Sequence, residues 1–345
     1  MRFSSLLFFF FLSIHLVSAQ KQQYKVGCVG FYNFENLFDI ENDTLIRDDE
    51  FTPKGRKGWT TELYQDKLDQ LASVVSEVGT EMTPDGLSIL GICEVENKGV
   101  LEDFVQHPKL AKRNYQIVHF DSKDWRGIDV ALIYQPKYYE VLSSKSIDVG
   151  IIMRGKDSTH TRDILLVEGL YDGDPLYVMV NHWPSRGGGE KVTMPMRNQA
   201  AMACRKVIDS LQAINPLAKV IVMGDLNDDP ISPSVKDFLR ATGKKKKVGP
   251  KQLFNPMYDY YKKGLGTTAW RDAWSLFDQI IVSPGLIQKN GEGYQFYKAK
   301  VFNKKHMVQR TGQFKGYPFR TFVGDAYLGG YSDHFPVYAF LVKAI

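Results

Sequence analysis

YVMVNHWPSR (residues 177–186) and IVMGDLNDDP (residues 221–230) decide the fold. Each begins with a strand-length apolar run rich in Val, Ile and Tyr and ends abruptly in groups that carry chemistry. His182 closes the first, ahead of Trp183, Pro184 and Arg186. In the second, Gly224 turns the chain and Asp225 and Asn227, two apart on extended backbone, project to one side. A strand that stops at an acid, an amide or a histidine holds that group rigidly at the edge of a sheet.

The same design recurs outward from these two runs. Tyr24–Phe31 leads to Asn33 in FYNFENLF, and Leu87–Cys93 leads to Glu94 in GICEVEN, where Glu96 competes for the same role. Asp129 opens an apolar strand in RGIDVALIY, Asp278 opens another in LFDQIIVS, and SDHFPV sets Asp333 and His334 before Pro336–Leu341. Further apolar runs cover Ile164–Leu170, Leu176–Val180, Val220–Met223 and Gln279–Val282. Leu63, Lys67, Leu68, Leu71, Val74, Val75 and Val78 recur at helical spacing, and a second amphipathic stretch runs from Met196 to Leu211. Many strands with few helices predict two stacked sheets with helices outside. No repeat or long linker divides residues 20–345, so one domain is expected.

MRFSSLLFFFFLSIHLVSAQ reads as a signal peptide cut after Ala19, with Arg2 before an apolar run from Leu6 to Val17 that is too short to span a membrane. A soluble, exported, monomeric protein is the expectation, in the periplasm, on the outer surface or in the medium. Net charge is +5, or +4 without Arg2, which permits a polyanionic partner and proves none. The basic run Lys244–Lys247 reads as a loop, either solvated or steering phosphates. Cys28, Cys93 and Cys204 are too few and scattered for a disulfide framework, and they read as buried thiols. A Cys28–Cys93 bridge stays open if their strands are neighbours.

Oxygen ligands without cysteine suit a hard cation, Mg²⁺ or else Mn²⁺ or Ca²⁺, better than zinc. Two histidines with two spare aspartates would make two oriented His–Asp pairs. A site of this kind suits phosphoester hydrolysis, which depends on positioning and charge neutralisation around phosphorus.

In order and wording, NFENLF, GICEVEN, RGIDVALIY, NHWPSR, GDLND, FDQIIVS and SDHFPV resemble the endonuclease/exonuclease/phosphatase superfamily over Val26 to Leu341. GDLN and SDH are the most specific of these motifs. The resemblance implies a four-layer α/β/β/α sandwich of two mostly antiparallel sheets, with the site at one edge. It implies Glu94 as the principal metal carboxylate, helped by Asn33 and Asp333. Asp225 would orient or deprotonate water and Asn227 would bind phosphate. His182 would contact phosphate with Asp129 as its orienting partner, and His334 would pair with Asp278. Arg162, in HTRDILLVEG, is either a phosphate contact or a strand-end arginine. The expected activity is metal-dependent cleavage of nucleic acid. Lipid head groups, inositol phosphates or nucleotides are the alternative substrates, and a non-catalytic binding scaffold is the alternative of another class. The loops Asp39–Trp59, Trp183–Met194 and Asn303–Tyr331 would choose among substrates.

Overall fold

Alternation within Tyr24–Leu37 (β1) sets the layering. Val29 and Phe31 face one core, while Cys28, Tyr32 and Phe34 face another, as the two-residue period of a strand buried on both sides requires. The computed structural model describes residues 22–153, 159–288 and 291–345, so the expected leader, residues 1–19, lies outside the described residues.

After β1 come α1 (Thr61–Glu77), β2 (Ile89–Val95), α2 (Lys98–Gln106), β3 (Gln116–His119), β4 (Asp129–Tyr134) and β5 (Tyr139–Ile147). β6 (Ile164–Tyr171), β7 (Asp174–His182), α3 (Glu190–Ile214) and β8 (Val220–Asp225) follow. The chain then adds β9 (Ala241–Thr242), β10 (Leu253–Phe254), β11 (Asp278–Val282), β12 (Gln295–Val301) and β13 (Val337–Ala344). One sheet has the order β12-β13-β1-β2-β4-β3 and the other β9-β10-β11-β8-β7-β6-β5.

Three cores separate four layers. Leu68, Leu71 and Val75 of α1, with Leu101 and Phe104 of α2, cover the outer face of the first sheet. Val29, Phe31, Ile89, Val178, Val180, Ile221 and Met223 fill the space between sheets, and Ala200, Ala201, Cys204 and Ile208 of α3 cover the second sheet. Each fully buried Val, Ile or Phe contributes roughly 1.5–3 kcal/mol. At Gly91 the sheets approach so closely that a Cβ would lie 2.6 Å from Met223 Sδ. The architecture is the expected α/β/β/α sandwich.

β1 and β2 are neighbours, but Cys28 belongs to the outer core and Cys93 to the inter-sheet core. The two thiols point to opposite faces of one sheet, and all three cysteines are free and buried. The bridge left open above is therefore excluded.

Candidate active site

Each sheet contributes a parallel pair whose carboxyl ends meet at one edge. In the second sheet β7 and β8 run parallel with His182 opposite Asp225, and antiparallel β11 sets Asp278 opposite Asp225. Three adjacent strands thus present His182, Asp225 and Asp278 side by side. In the first sheet β1 and β2 are parallel, with Asn33 opposite Cys93. Asn33 Nδ2 reaches across the sandwich and donates to Asp225 Oδ2 at 3.2 Å.

Glu94 arrives by distortion rather than by alternation. The register of β1 on β2 shifts between Asn33 and Leu37, and that of β2 on β4 shifts between Cys93 and Val95. Glu35, Asn36 and Glu94 there adopt left-handed backbone, with φ of 50°, 56° and 61°. Bulges of this kind re-aim side chains near functional sites. Glu94 Oε2 accepts from the Asn36 amide at 3.1 Å, and Glu94 Oε1 lies 3.7 Å from His182 Nε2. Asn227 is also left-handed, φ 49°, where its amide nitrogen donates to Asp225 Oδ1 at 2.9 Å.

The two histidines are driven apart electrically. Burial, then the guanidinium groups of Arg162 and Arg126, push His182 well below the ordinary histidine value, so it is neutral. Burial opposes protonation of His334 too, but Asp278, Asp225 and Asp333 outweigh it and hold His334 well above that value. His334 Nδ1 sits 2.6 Å from Asp278 Oδ2, which leaves Nε2 as the donor facing the site. Burial raises Asp225 to about 7, with His334 pulling it down and Asp278 and Glu94 pushing it up. Groups forced apart in this way divide acid from base.

Asp129 does not orient His182. Its Oδ2 lies 3.3 Å from His119 Nε2 across the β3–β4 pairing, and its Oδ1 accepts from the Ser122 amide. His182 instead faces Glu94 and Asp225, each at 3.7 Å, and its Nδ1 has no hydrogen-bond partner among the described residues. Arg162 is buried, 3.2 Å from Asp124 Oδ2, and donates to the Trp183 carbonyl at 2.7 Å. Asn227 spends an Nδ2 proton on the same carbonyl at 3.0 Å. Glu96 accepts from the Asp39 amide at 2.8 Å and Asn97 caps α2, so among the acids of GICEVEN only Glu94 meets His182. The basic run is remote: Lys245 Nζ lies over Phe296, which pairs with Leu341 at the far end of β13 from His334.

Two residues beneath the edge escaped sequence reasoning as site components. Glu35 is buried and accepts from the Thr321 amide at 2.7 Å, and burial with Asp333 beside it raises its carboxyl to about 7. Lys67 of α1 is fully buried, bonded to Thr321 Oγ1 and the Tyr331 carbonyl, and burial lowers it to about 8 against the pull of Glu35, Asp333 and Glu94. A buried lysine at a helical core position is the signal that could have found it.

These residues fit a hard cation. Glu94 Oε1 and Asp333 Oδ1 accept no hydrogen bond among the described residues, while the Asn33 amide oxygen keeps a lone pair beyond the one taken by the Glu35 amide at 2.8 Å. Asp225, Asp278 and His334 also lie within ligand distance of one another, as do His119, Asp121 and Asp129. In the first of those groups, however, Asp278 Oδ2 and His334 Nδ1 are spent on each other. Carboxylates with free oxygens make the Glu94 side the better cation seat.

Residues 28–343 match the sequence model of the Endonuclease/Exonuclease/phosphatase family. The chain belongs to that family. Its members are hydrolytic phosphoesterases that depend on divalent metal. No curated protein matches the sequence. A family protein of solved structure from Bacteroides thetaiotaomicron superposes with TM-score 0.55 at 17% identity, over 94% of this chain and 97% of the other. A mannosyl-6-phosphatase of Bacteroides thetaiotaomicron gives 0.53 at 16%, covering 92% and 99%. D. rerio TDP2 complexed with single-strand DNA product gives 0.52 at 14%, covering 92% and 98%. At these identities the likeness extends to the family fold.

Proposed function

We propose that this phosphoesterase is a Mg²⁺-dependent nuclease that hydrolyses phosphodiesters by in-line attack of water. The observation that carries it is the convergence of Glu94, His182, Asp225 and the Asp278–His334 pair on one edge, locked across the sheets by Asn33. A cation held by Glu94, Asp333 and Asn33 would supply positive charge to the phosphoryl oxygens. Asp225, whose carboxyl sits near 7, orients the attacking water and takes its proton. His334, protonated and fixed by Asp278, donates from Nε2 to a non-bridging oxygen, and neutral His182 approaches the phosphate from the other side. The leader in residues 1–19 supports export, and N-terminal sequencing of protein recovered outside the cell would test a start at Gln20.

Hydrolysis of plasmid DNA, single-stranded RNA, sphingomyelin, an inositol polyphosphate and mannose 6-phosphate, each with Mg²⁺ and with EDTA, tests the activity. Metal-dependent nicking that Glu94→Ala and His182→Ala both lose is the expected result. Turnover of a lipid, inositol or sugar phosphate with no nicking would replace the nuclease reading by a phosphatase or phospholipase one.

A further inference from the structure

A cleft of about 1090 Å³ opens beside the site, formed by the segment from Asn36 to Lys57 and by Trp125 and Arg126. Its inner end is Asn36, whose amide holds Glu94. Its wall is tied together: the Arg47 amide donates to the Trp125 carbonyl at 3.1 Å. A Cβ at Gly127, which has φ +67°, would strike Ile46. Asp124, clamped by buried Arg162, accepts from the Arg126 amide at 3.0 Å and so fixes the Trp125–Arg126 step.

The exposed groups on this wall are unusual together. Trp125 leaves 38% of its surface to solvent, and the Arg47 guanidinium lies 5.1 Å from its ring centroid. Five lining side chains are basic and three acidic. Arg47 and Lys54 have no carboxylate at ion-pair distance among the described residues. An exposed indole with the Arg47 guanidinium against its ring, in a cleft that also carries Lys54 and Arg126 and adjoins a phosphate-cleaving centre, combines π surface with positive charge. A single nucleic-acid strand alternates planar base with phosphate.

We infer that this cleft is a nucleotide subsite, in which Trp125 stacks on a base next to the scissile phosphate while Arg47 and Lys54 meet the following phosphates. The inference rests on the nuclease reading and names where its specificity resides. A neutral glycan would leave the excess positive charge of the lining unmatched.

The test compares cleavage of a single-stranded oligodeoxynucleotide with that of the same backbone built from abasic residues, using the full mature protein with Mg²⁺. Mannose 6-phosphate serves as a third substrate. Wild type should prefer the base-bearing strand by about 5- to 100-fold in kcat/KM, the range expected for one stacked base. Trp125→Ala should erase that preference by bringing cleavage of the base-bearing strand down towards that of the abasic one, and Trp125→Phe should keep most of it. If Trp125→Ala keeps the preference, or slows both strands alike, the subsite is wrong and the nuclease reading stands. If wild type cleaves neither strand yet hydrolyses mannose 6-phosphate, the nuclease reading falls and the subsite with it.

Discussion

Asn33 on one sheet donates to Asp225 on the other at 3.2 Å, the one side-chain hydrogen bond among the described residues that joins a candidate cation ligand to the candidate base. Asn33→Ala should therefore unfix Asp225 and lower kcat by about 10- to 1,000-fold. KM should change far less, and circular dichroism should be unaltered. Steady-state kinetics on plasmid or oligonucleotide reads this split, and a change confined to KM would assign Asn33 to substrate binding instead.

Asp278 keeps one imidazole in register. In Asp278→Asn the amide can present either face to His334 Nδ1, so the correct tautomer is no longer enforced. A fall of about 10²- to 10⁴-fold in kcat/KM is expected. Thermal unfolding measured alongside separates this from a loss of fold.

Glu94 is the proposed cation ligand, and Glu94→Gln keeps the shape while removing the charge. Mn²⁺ binding by calorimetry should weaken by at least about 10- to 100-fold, the range found even for residues that only support metal ligands. Unchanged binding would move the cation to the group formed by Asp225, Asp278 and His334.

Arg162 and Asp124 form an ion pair with side chains 6% and 2% exposed. Removing one partner strands the other charge in the interior, so Arg162→Ala should cost about 3–5 kcal/mol in urea unfolding. A variant of native stability that binds nucleic acid poorly would instead make Arg162 a phosphate contact.

Glu96 makes stability depend on pH. Burial, against the hydrogen bond from the Asp39 amide and reinforced by the Asp39, Asp48 and Asp43 charges, raises its carboxyl from 4.5 to about 8. The folded protein then holds this proton more tightly than the unfolded chain, so stability is full below about 4.5 and declines as pH rises towards 8. Glu96→Gln should remove that decline, leaving the variant more stable than wild type at pH 8. Midpoints of denaturant unfolding between pH 5 and 8.5 would show it, and parallel profiles would refute it.

The strand ends were legible as a set: one acid or histidine after an apolar run is commonplace, but several apolar runs ending that way along one chain are not. The helix expected from Leu63 to Val78 is α1, and the stretch from Met196 lies within α3. β5 was missed because its YEVLSSKSI has little buried surface, which erases hydrophobic alternation. α2 was missed although Asn97 caps it and Val100, Leu101 and Phe104 mark its buried face. The pairing of Asp129 with His119 depends on register between two strands that the sequence does not align. The left-handed turns at Glu35 and Glu94 have no compositional mark, since neither residue favours that conformation.

Because Asn33 and Glu94 ride on one sheet while His182, Asp225 and Asp278 ride on the other, the proposed catalytic constellation measures the gap between two slabs. A sliding of a single ångström would part donors from acceptors without breaking one rung of either ladder. The packed interior around Gly91 and Met223 is thus the calibration of the enzyme as well as its ballast. Selection on chemistry at the rim must reach down into the interior to keep that spacing.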